Sequence, residues 1–472
     1  MDAPLYDRLT QIDNSFLVYE DEMPTGGAMH VASTQIHEAG PLRKDDGSLD
    51  IEAIEEYVES RLDRIPRYRQ RIAHTPIEGH PVWVDDAKFD IRYHVRHSRL
   101  PRPGDERQLK RMVGRIFSQR LDREKPLWEM WVIEGLQGDR IAIVSKVHHC
   151  MVDGVSGSEL IAALLTPEPL EKPDPPSRWK PRPVPSRLTL AGGELGRALG
   201  APIALGSAAS RLIFDEGDAR HDVAERLRAL GHALSSMGQS TAVPFNRVVG
   251  PNRRLDWYTM PMARIGEIRR KTGVTVNDVV LATTAGAVGR YLARDRGMDL
   301  DGVQFRVMAP VSVRSKDEKG ALGNRVSAWN VALPIAEPDP LERLEAIRRQ
   351  TAELKRSRSA LGAETLTQVT EWTGSALLVL SARMLRRTTP FNMVVTNVPG
   401  PRSTLYLLRS RLLEIHPHVP LTGTLGLGIA LFSYDGTLSW GYAADWDLVP
   451  DLHQMVLATG EAFEALHQAA HA

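Results

Sequence analysis

Apolar and polar positions follow two different periods along this chain, and the switches between them mark its elements. A period near 3.6 predicts helices over residues 51–62, 277–295 and 341–355, and a closing helix after Pro450. Apolar, β-branched and aromatic runs predict strands over 81–84, 89–95, 128–134, 141–147, 303–313, 325–333, 391–398, 425–433 and 438–442. Between the two sets runs a segment with Pro167, Pro169, Pro173, Pro175, Pro176, Pro181, Pro183 and Pro185, which suits neither a helix interior nor a sheet ladder. It reads as the start of an interdomain linker, with crossover helices over 190–214 and 223–237 behind it. The expected organisation is α/β in two parts, 1–166 and 246–472, joined by a Pro-rich and helical crossover over 167–245. A site is expected in the cleft between the parts.

Length and composition agree with that division. A chain of 472 residues exceeds one ordinary core, and 42% hydrophobic with 25% charged residues is a globular composition. Lys plus Arg equals Asp plus Glu at 59 each, so the net positive field that nucleic-acid binding needs is missing. The single cysteine excludes an internal disulfide and a thiolate-rich metal site, and fits a reducing compartment such as the cytoplasm. The acidic opening Met1-Asp2-Ala3-Pro4-Leu5-Tyr6-Asp7 is unlike a signal peptide, and no apolar run is long enough to span a bilayer. Membrane contact is therefore expected to be peripheral.

The candidate chemistry sits at the end of the 141–147 strand, in His148-His149-Cys150-Met151-Val152-Asp153-Gly154, with a helix-like run over 156–165 behind it. A strand end opening into a helix holds reactive groups rigidly beside a cleft. Histidine is the usual base for taking a proton from a hydroxyl near neutral pH. Alternation along the strand is expected to send His148 and His149 to opposite sides, and Cys150 away from His149. Asp153 suits a structural ion pair and Gly154 a close approach or positive φ. The pattern also arises by chance, so the motif alone does not close the case. Metal binding is disfavoured because no His-Glu-x-x-His or Cys-x-x-Cys spacing completes a site. Gly423, Gly426 and Gly428 lack the dinucleotide-loop spacing, and Ser156 lacks the second glycine of a hydrolase elbow. Asn277 and Asp278 open a helix, where an N-cap role accounts for them.

Several motifs in one order carry a more specific signal. They are Leu9-Thr10-Gln11-Ile12-Asp13-Asn14-Ser15-Phe16-Leu17, Pro126-Leu127-Trp128, the double histidine, Val276-Asn277-Asp278-Val279-Val280, Pro310-Val311-Ser312-Val313-Arg314, Gly323-Asn324-Arg325-Val326-Ser327 and Thr396-Asn397-Val398-Pro399-Gly400-Pro401. With them the chain resembles, over nearly its whole length, the bacterial wax ester synthase/diacylglycerol acyltransferases. These belong to a superfamily of coenzyme A-dependent acyltransferases and peptide-synthetase condensation domains. The resemblance implies two chloramphenicol-acetyltransferase-like domains with mixed sheets, a tunnel at their interface, and no metal or cofactor, acyl-CoA being a substrate. It implies acyl transfer from acyl-CoA to diacylglycerol or a long-chain alcohol, with His149 as base and His148, Asp153 and Gly154 supporting the loop. It makes Asn277, Asp278, Pro126, Leu127 and Trp128 site-shaping residues. In the superfamily the aspartate turns towards an arginine, for which Arg69 is the first candidate here and Arg314 the second. The same resemblance leaves room for an amide-forming condensation enzyme. A lipid-surface binding protein with a decayed site is the alternative from another class. Insoluble products and basic amphipathic stretches around 197–211 and 383–387 point to the inner membrane or lipid bodies as an attachment surface.

Overall fold

In the computed structural model, residues 6–22, 27–152, 157–175, 179–197, 240–312, 326–356 and 391–472 are described. Two six-stranded sheets carry the fold. The first runs β12-β13-β2-β7-β6-β5, with β2 His30–Glu38, β5 Val95–Arg99, β6 Trp128–Leu136, β7 Arg140–His148, β12 Tyr406–Leu407 and β13 Ser410–His418. The second runs β10-β9-β11-β14-β15-β8, with β8 Arg253–Pro261, β9 Phe305–Ser312, β10 Val326–Leu333, β11 Met393–Val398, β14 Leu427–Tyr434 and β15 Thr437–Asp445. Both are mixed: β5 lies parallel to β6, and β11 parallel to β14 and β9, among otherwise antiparallel pairs. A small sheet of β1 Asp7–Arg8, β4 Pro81–Asp85 and β3 Gln70–His74 flanks the first.

Helices cover these sheets according to their apolar faces. In the first part they are α1 Gln11–Asp21, α2 Ile51–Arg61, α3 Ile91–His94, α4 Glu106–Ser118 and α5 Gly157–Leu164, followed by α6 over 187–197. In the second they are α7 Met262–Thr272, α8 Val276–Arg290, α9 Pro340–Arg356 and α10 Leu452–Ala469. α8 is buried on every side from Asp278 to Gly289, which explains why its sequence is apolar throughout rather than striped.

Most expected elements appear within a few residues of their predicted ends, and three differ. Residues 89–95 are not a strand: Asp90 accepts a hydrogen bond from the Arg92 N–H (3.0 Å) and caps the short helix α3, so the strand starts at Val95. The N-cap of α8 is Thr275; Asp278 completes a capping box, and Asn277 lies inside the helix. The boundary at 246 is crossed, because β12 and β13 leave the second part to pair with β2 of the first. Of the crossover helices, α6 covers the start of the first, and 223–237 lies outside the described residues.

That exchange joins the two halves. A separate apolar core that includes Ile36, Phe117, Val144, Trp257, Val419 and Ala443 fills the space between the sheets. Trp257 of β8 stacks on His416 of β13 (4.6 Å between centroids, 10°), and His416 Nδ1 and Ser439 Oγ of β15 lie 2.8 Å apart. Gly441 of β15 faces the carbonyl oxygen of Pro417 of β13, and a Cβ at this position would overlap that oxygen. Gly441→Ala should therefore force the sheets apart and destabilise the protein by about 1–3 kcal/mol. Thermal unfolding checks this: a midpoint lowered by several degrees is expected, and an unchanged one contradicts the close approach.

Candidate active site

The double histidine lies where the first sheet ends. β7 runs to His148, which pairs with His30 of β2, and the chain then turns through a 3₁₀ segment His149–Met151. The divergence of the two rings therefore comes from this turn and not from strand alternation. The turn also brings Cys150 Sγ to 3.0 Å from His148 Nδ1.

His148 is held at both ring nitrogens. Its Nδ1 faces the Cys150 N–H (3.2 Å) and the thiol, so the ring proton sits on Nε2, which donates to Glu20 Oε2 at 3.1 Å. The same carboxylate oxygen accepts the Met29 N–H at 2.9 Å, and the Met29 carbonyl accepts the His149 N–H at 2.7 Å. Arg123 holds the other oxygen of Glu20 at 3.3 Å and Asp21 at 2.8 Å. Burial alone would raise the Glu20 pKa. The hydrogen bond and field of His148, then the Met29 amide, outweigh it and hold the pKa at about 2. From below, the Leu127 carbonyl accepts the His148 N–H at 2.9 Å.

Glu20 comes from α1, and the sequence sets its position. Thr10 caps the helix by accepting the Asp13 N–H (3.1 Å), and Asp13, Phe16, Leu17 and Glu20 recur at helical spacing on one face. Phe16, one turn before Glu20, stacks its ring on His149 at 4.0 Å and 28°. α1 thus grips one histidine and covers the other. The sequence marks Glu20 only as an acid at helical spacing from Phe16 and Leu17, a weaker sign than the double histidine.

His149 is placed differently. It is half-buried, and its buried Nδ1 has no hydrogen-bond partner among the described residues. Burial lowers its pKa to about 4, so the imidazole is neutral with a lone pair available at physiological pH. Cys150 is wholly buried, and burial, then the Asp13 charge, pushes its thiol pKa well up. An uncharged thiol without access to solvent is a poor nucleophile.

The remaining expected site residues separate into supports and others. Pro126, Leu127 and Trp128 form a buried brace: Trp128 Nε1 donates to the Tyr68 carbonyl (2.8 Å), and its ring stacks on His94 at 4.5 Å. Asp278 accepts from the Thr351 hydroxyl (2.7 Å) and from Thr275, which ties α8 to α9; Asn277 beside it is half-buried. Arg69 donates to Asp63 (2.5 Å) and to the Glu59 carbonyl (3.2 Å), and lies over the Trp179 ring. Asp153, Gly154 and Arg314 lie outside the described residues. Among the described residues, the side chains spaced to hold a metal ion are Glu267, His467 and His471, a set without the two motif histidines.

Comparison with known proteins follows the same lines. A model of the wax ester synthase/diacylglycerol acyltransferase catalytic domain matches residues 9–280, and one of the C-terminal domain of these enzymes matches 322–467. A Mycobacterium tuberculosis H37Rv protein named as a diacylglycerol O-acyltransferase is 31% identical over 465 residues, 97% of this chain and 95% of its own. Another, from M. tuberculosis CDC 1551, is 33% identical over 424 residues, 88% of this chain and 81% of its own. The solved wax ester synthase/diacylglycerol acyltransferase of Marinobacter aquaeolei VT8 superposes with a TM-score of 0.69 at 24% identity, covering 98% of this chain and all of that one. The first condensation domain of the calcium-dependent antibiotic synthetase superposes at 0.60 with 16% identity, covering 99% of this chain and 97% of that domain. These two likenesses concern the fold: a mixed α/β protein of two sheet-rich, chloramphenicol-acetyltransferase-like domains.

The low pKa of His149 has a definite sign in titration. Between about 6.5 and 4 the unfolded chain binds a proton at this residue that the folded protein does not, so its contribution to stability is present above 6.5 and lost as pH falls through that window. An NMR titration of ring-labelled histidine should show the His149 signal still neutral at pH 5.5. A midpoint at the ordinary value would contradict the effect of burial on this ring.

Proposed function

The chain belongs to the wax ester synthase/diacylglycerol acyltransferase family, and from that membership we propose that His149 is the general base of its acyl transfer. It is an acyl-CoA-dependent O-acyltransferase that makes triacylglycerol or wax ester. The observation that supports His149 is the contrast between the two rings. His148 is bonded at both nitrogens, whereas His149 is neutral and its buried Nδ1 has no hydrogen-bond partner among the described residues.

In this mechanism the hydroxyl of a diacylglycerol or long-chain alcohol attacks the thioester carbonyl of acyl-CoA while His149 accepts its proton. The tetrahedral intermediate collapses with cleavage of the C–S bond. The proton passes from His149 to the departing thiolate, giving ester and free CoA. The two substrates meet in a tunnel between the halves, and no metal or further cofactor enters because the thioester is already activated. Glu20 and His148 act through position: they fix the turn from which His149 projects. Asp153, through an arginine, would serve the same loop. The condensation domains share the fold at low identity, and no residue described here favours an amine acceptor.

A ternary complex without an acyl-enzyme follows from the burial of Cys150. His149→Ala should reduce turnover about 100- to 10,000-fold in a protein that still folds, while Cys150→Ala keeps most activity. Initial rates with both substrates varied should give intersecting reciprocal lines. Parallel lines, together with an acyl label on the denatured protein that disappears in Cys150→Ala, would overturn this.

No helix among the described residues is long and apolar enough to cross a membrane. We place the enzyme in the cytoplasm, held peripherally to the inner membrane or lipid bodies where its acceptors and products collect. Val184, Leu188 and Leu195 support this: the latter two lie on one face of α6, and all three are exposed, Leu188 by 85%. Of the two basic stretches, 197–211 beyond Arg197 and the whole of 383–387 lie outside the described residues. Leu188→Glu/Leu195→Glu should abolish flotation with liposomes at low salt. Flotation equal to that of the unaltered protein would remove α6 from the attachment surface.

A further inference from the structure

A cleft of about 1270 Å³ opens between α4 of the first half and the start of β8 and α10 of the second. Its charges do not balance. Of its acids, Glu106 and Asp256 are both taken by Lys110 (2.9 and 2.6 Å), and Asp451 by Arg296 (2.6 Å). Arg107, Arg111 and Arg115 follow one another at four-residue spacing along one face of α4, line this cleft, and have no ionic partner among the described residues. Like charges at that spacing oppose each other unless an anion joins them. Arg254 adds a fourth cation from the opposite wall, and its Nε is buried without a partner. Its guanidinium lies 4.0 Å from the ring centroid of Trp446, which remains 43% exposed in the same cleft.

Resting on the acyl-CoA reading above, we propose that this cleft holds the phosphorylated adenosine end of coenzyme A, with the four arginines on its phosphates and the Trp446–Arg254 pair beside the adenine. Forked guanidinium groups suit phosphate oxygens, and an exposed indole stacked with a guanidinium offers a surface for a planar base. The cleft also borders the strand that carries the histidines. Its lining includes Ser118 and Gln119, and the Ile116 and Gln119 carbonyls accept from Lys146 Nζ (3.0 Å each). Lys146 lies two residues before His148 on β7, about 7 Å along the strand. A solvated basic helix face would explain Arg107, Arg111 and Arg115, but not the convergence of Arg254 and Trp446 from the other half upon a concave site.

The test compares a long-chain acyl-CoA with the same acyl group on N-acetylcysteamine, which keeps the thioester and lacks every phosphate. In Arg111→Ala/Arg115→Ala and in Arg254→Ala, the ratio of kcat/KM for acyl-CoA to that for the truncated thioester should fall about 10- to 100-fold, through KM for acyl-CoA. Adenosine 3′,5′-bisphosphate should inhibit the unaltered enzyme competitively against acyl-CoA, and these variants more weakly by a similar factor. An unchanged ratio overturns the assignment. So does a variant that loses binding to phosphatidylglycerol vesicles while keeping the ratio, since the arginines would then face lipid. If the unaltered enzyme transferred acyl groups from neither thioester, the transferase reading itself would fail, a result distinct from failure of the cleft.

Discussion

The buried hydrogen bond from His148 to Glu20 is the constraint on which the site depends. It joins residues 128 positions apart, both almost wholly buried, and ties the first helix to the end of a central strand. A buried carboxylate is costly unless its oxygens are satisfied, and here the Met29 amide, His148 and Arg123 satisfy them. Because Met29 also receives the His149 amide, one acid fixes the backbone on both sides of the reactive ring. His149 can then leave its Nδ1 without a hydrogen-bond partner among the described residues and still be held, since Phe16 of the same helix covers it. Rigidity is built into the neighbours, and chemistry is left to the one side chain they do not hold.

The halves of the protein contribute unequally to this arrangement. Both motif histidines and the acid that orders them come from the first part, while the second supplies β13, which borders β2 and thereby closes the same sheet. The close contact of Gly441 with Pro417 and the core around Trp257 keep the two sheets in a fixed relation. The arginine cleft lies at this same junction, between α4 and β8, so one packed interface both holds the halves together and shapes the space beside the histidine strand.

Much of this was legible in the sequence, for identifiable reasons. The strand over 141–147 and the helices over 51–62 and 341–355 carry strong periodic signals, and the structure places them within about a turn of the expected ends. Pairing at long range was not legible: nothing local in 406–418 announces that it will join β2 across the domain boundary. Residues 89–95 read as a strand because a four-residue helix has too few positions to show a period, and the Asp90 cap was overlooked. At the site, His148 and His149 stood out by type and spacing. Glu20 and Phe16 did not, because their roles arise only when α1 packs against the turn after β7. Among the described residues Arg69 pairs with Asp63, six residues away, while Asp153, towards which the resemblance turns it, lies outside them.

The central claim is that His149 moves the proton while His148 holds the frame. Chemical rescue separates these roles directly, because free imidazole can replace a proton acceptor and cannot replace a buried hydrogen-bonded brace. Acyl transfer by His149→Gly should rise with added imidazole, and transfer by His148→Gly should not. Rescue of His148→Gly alone would assign the base to the other ring and contradict the account.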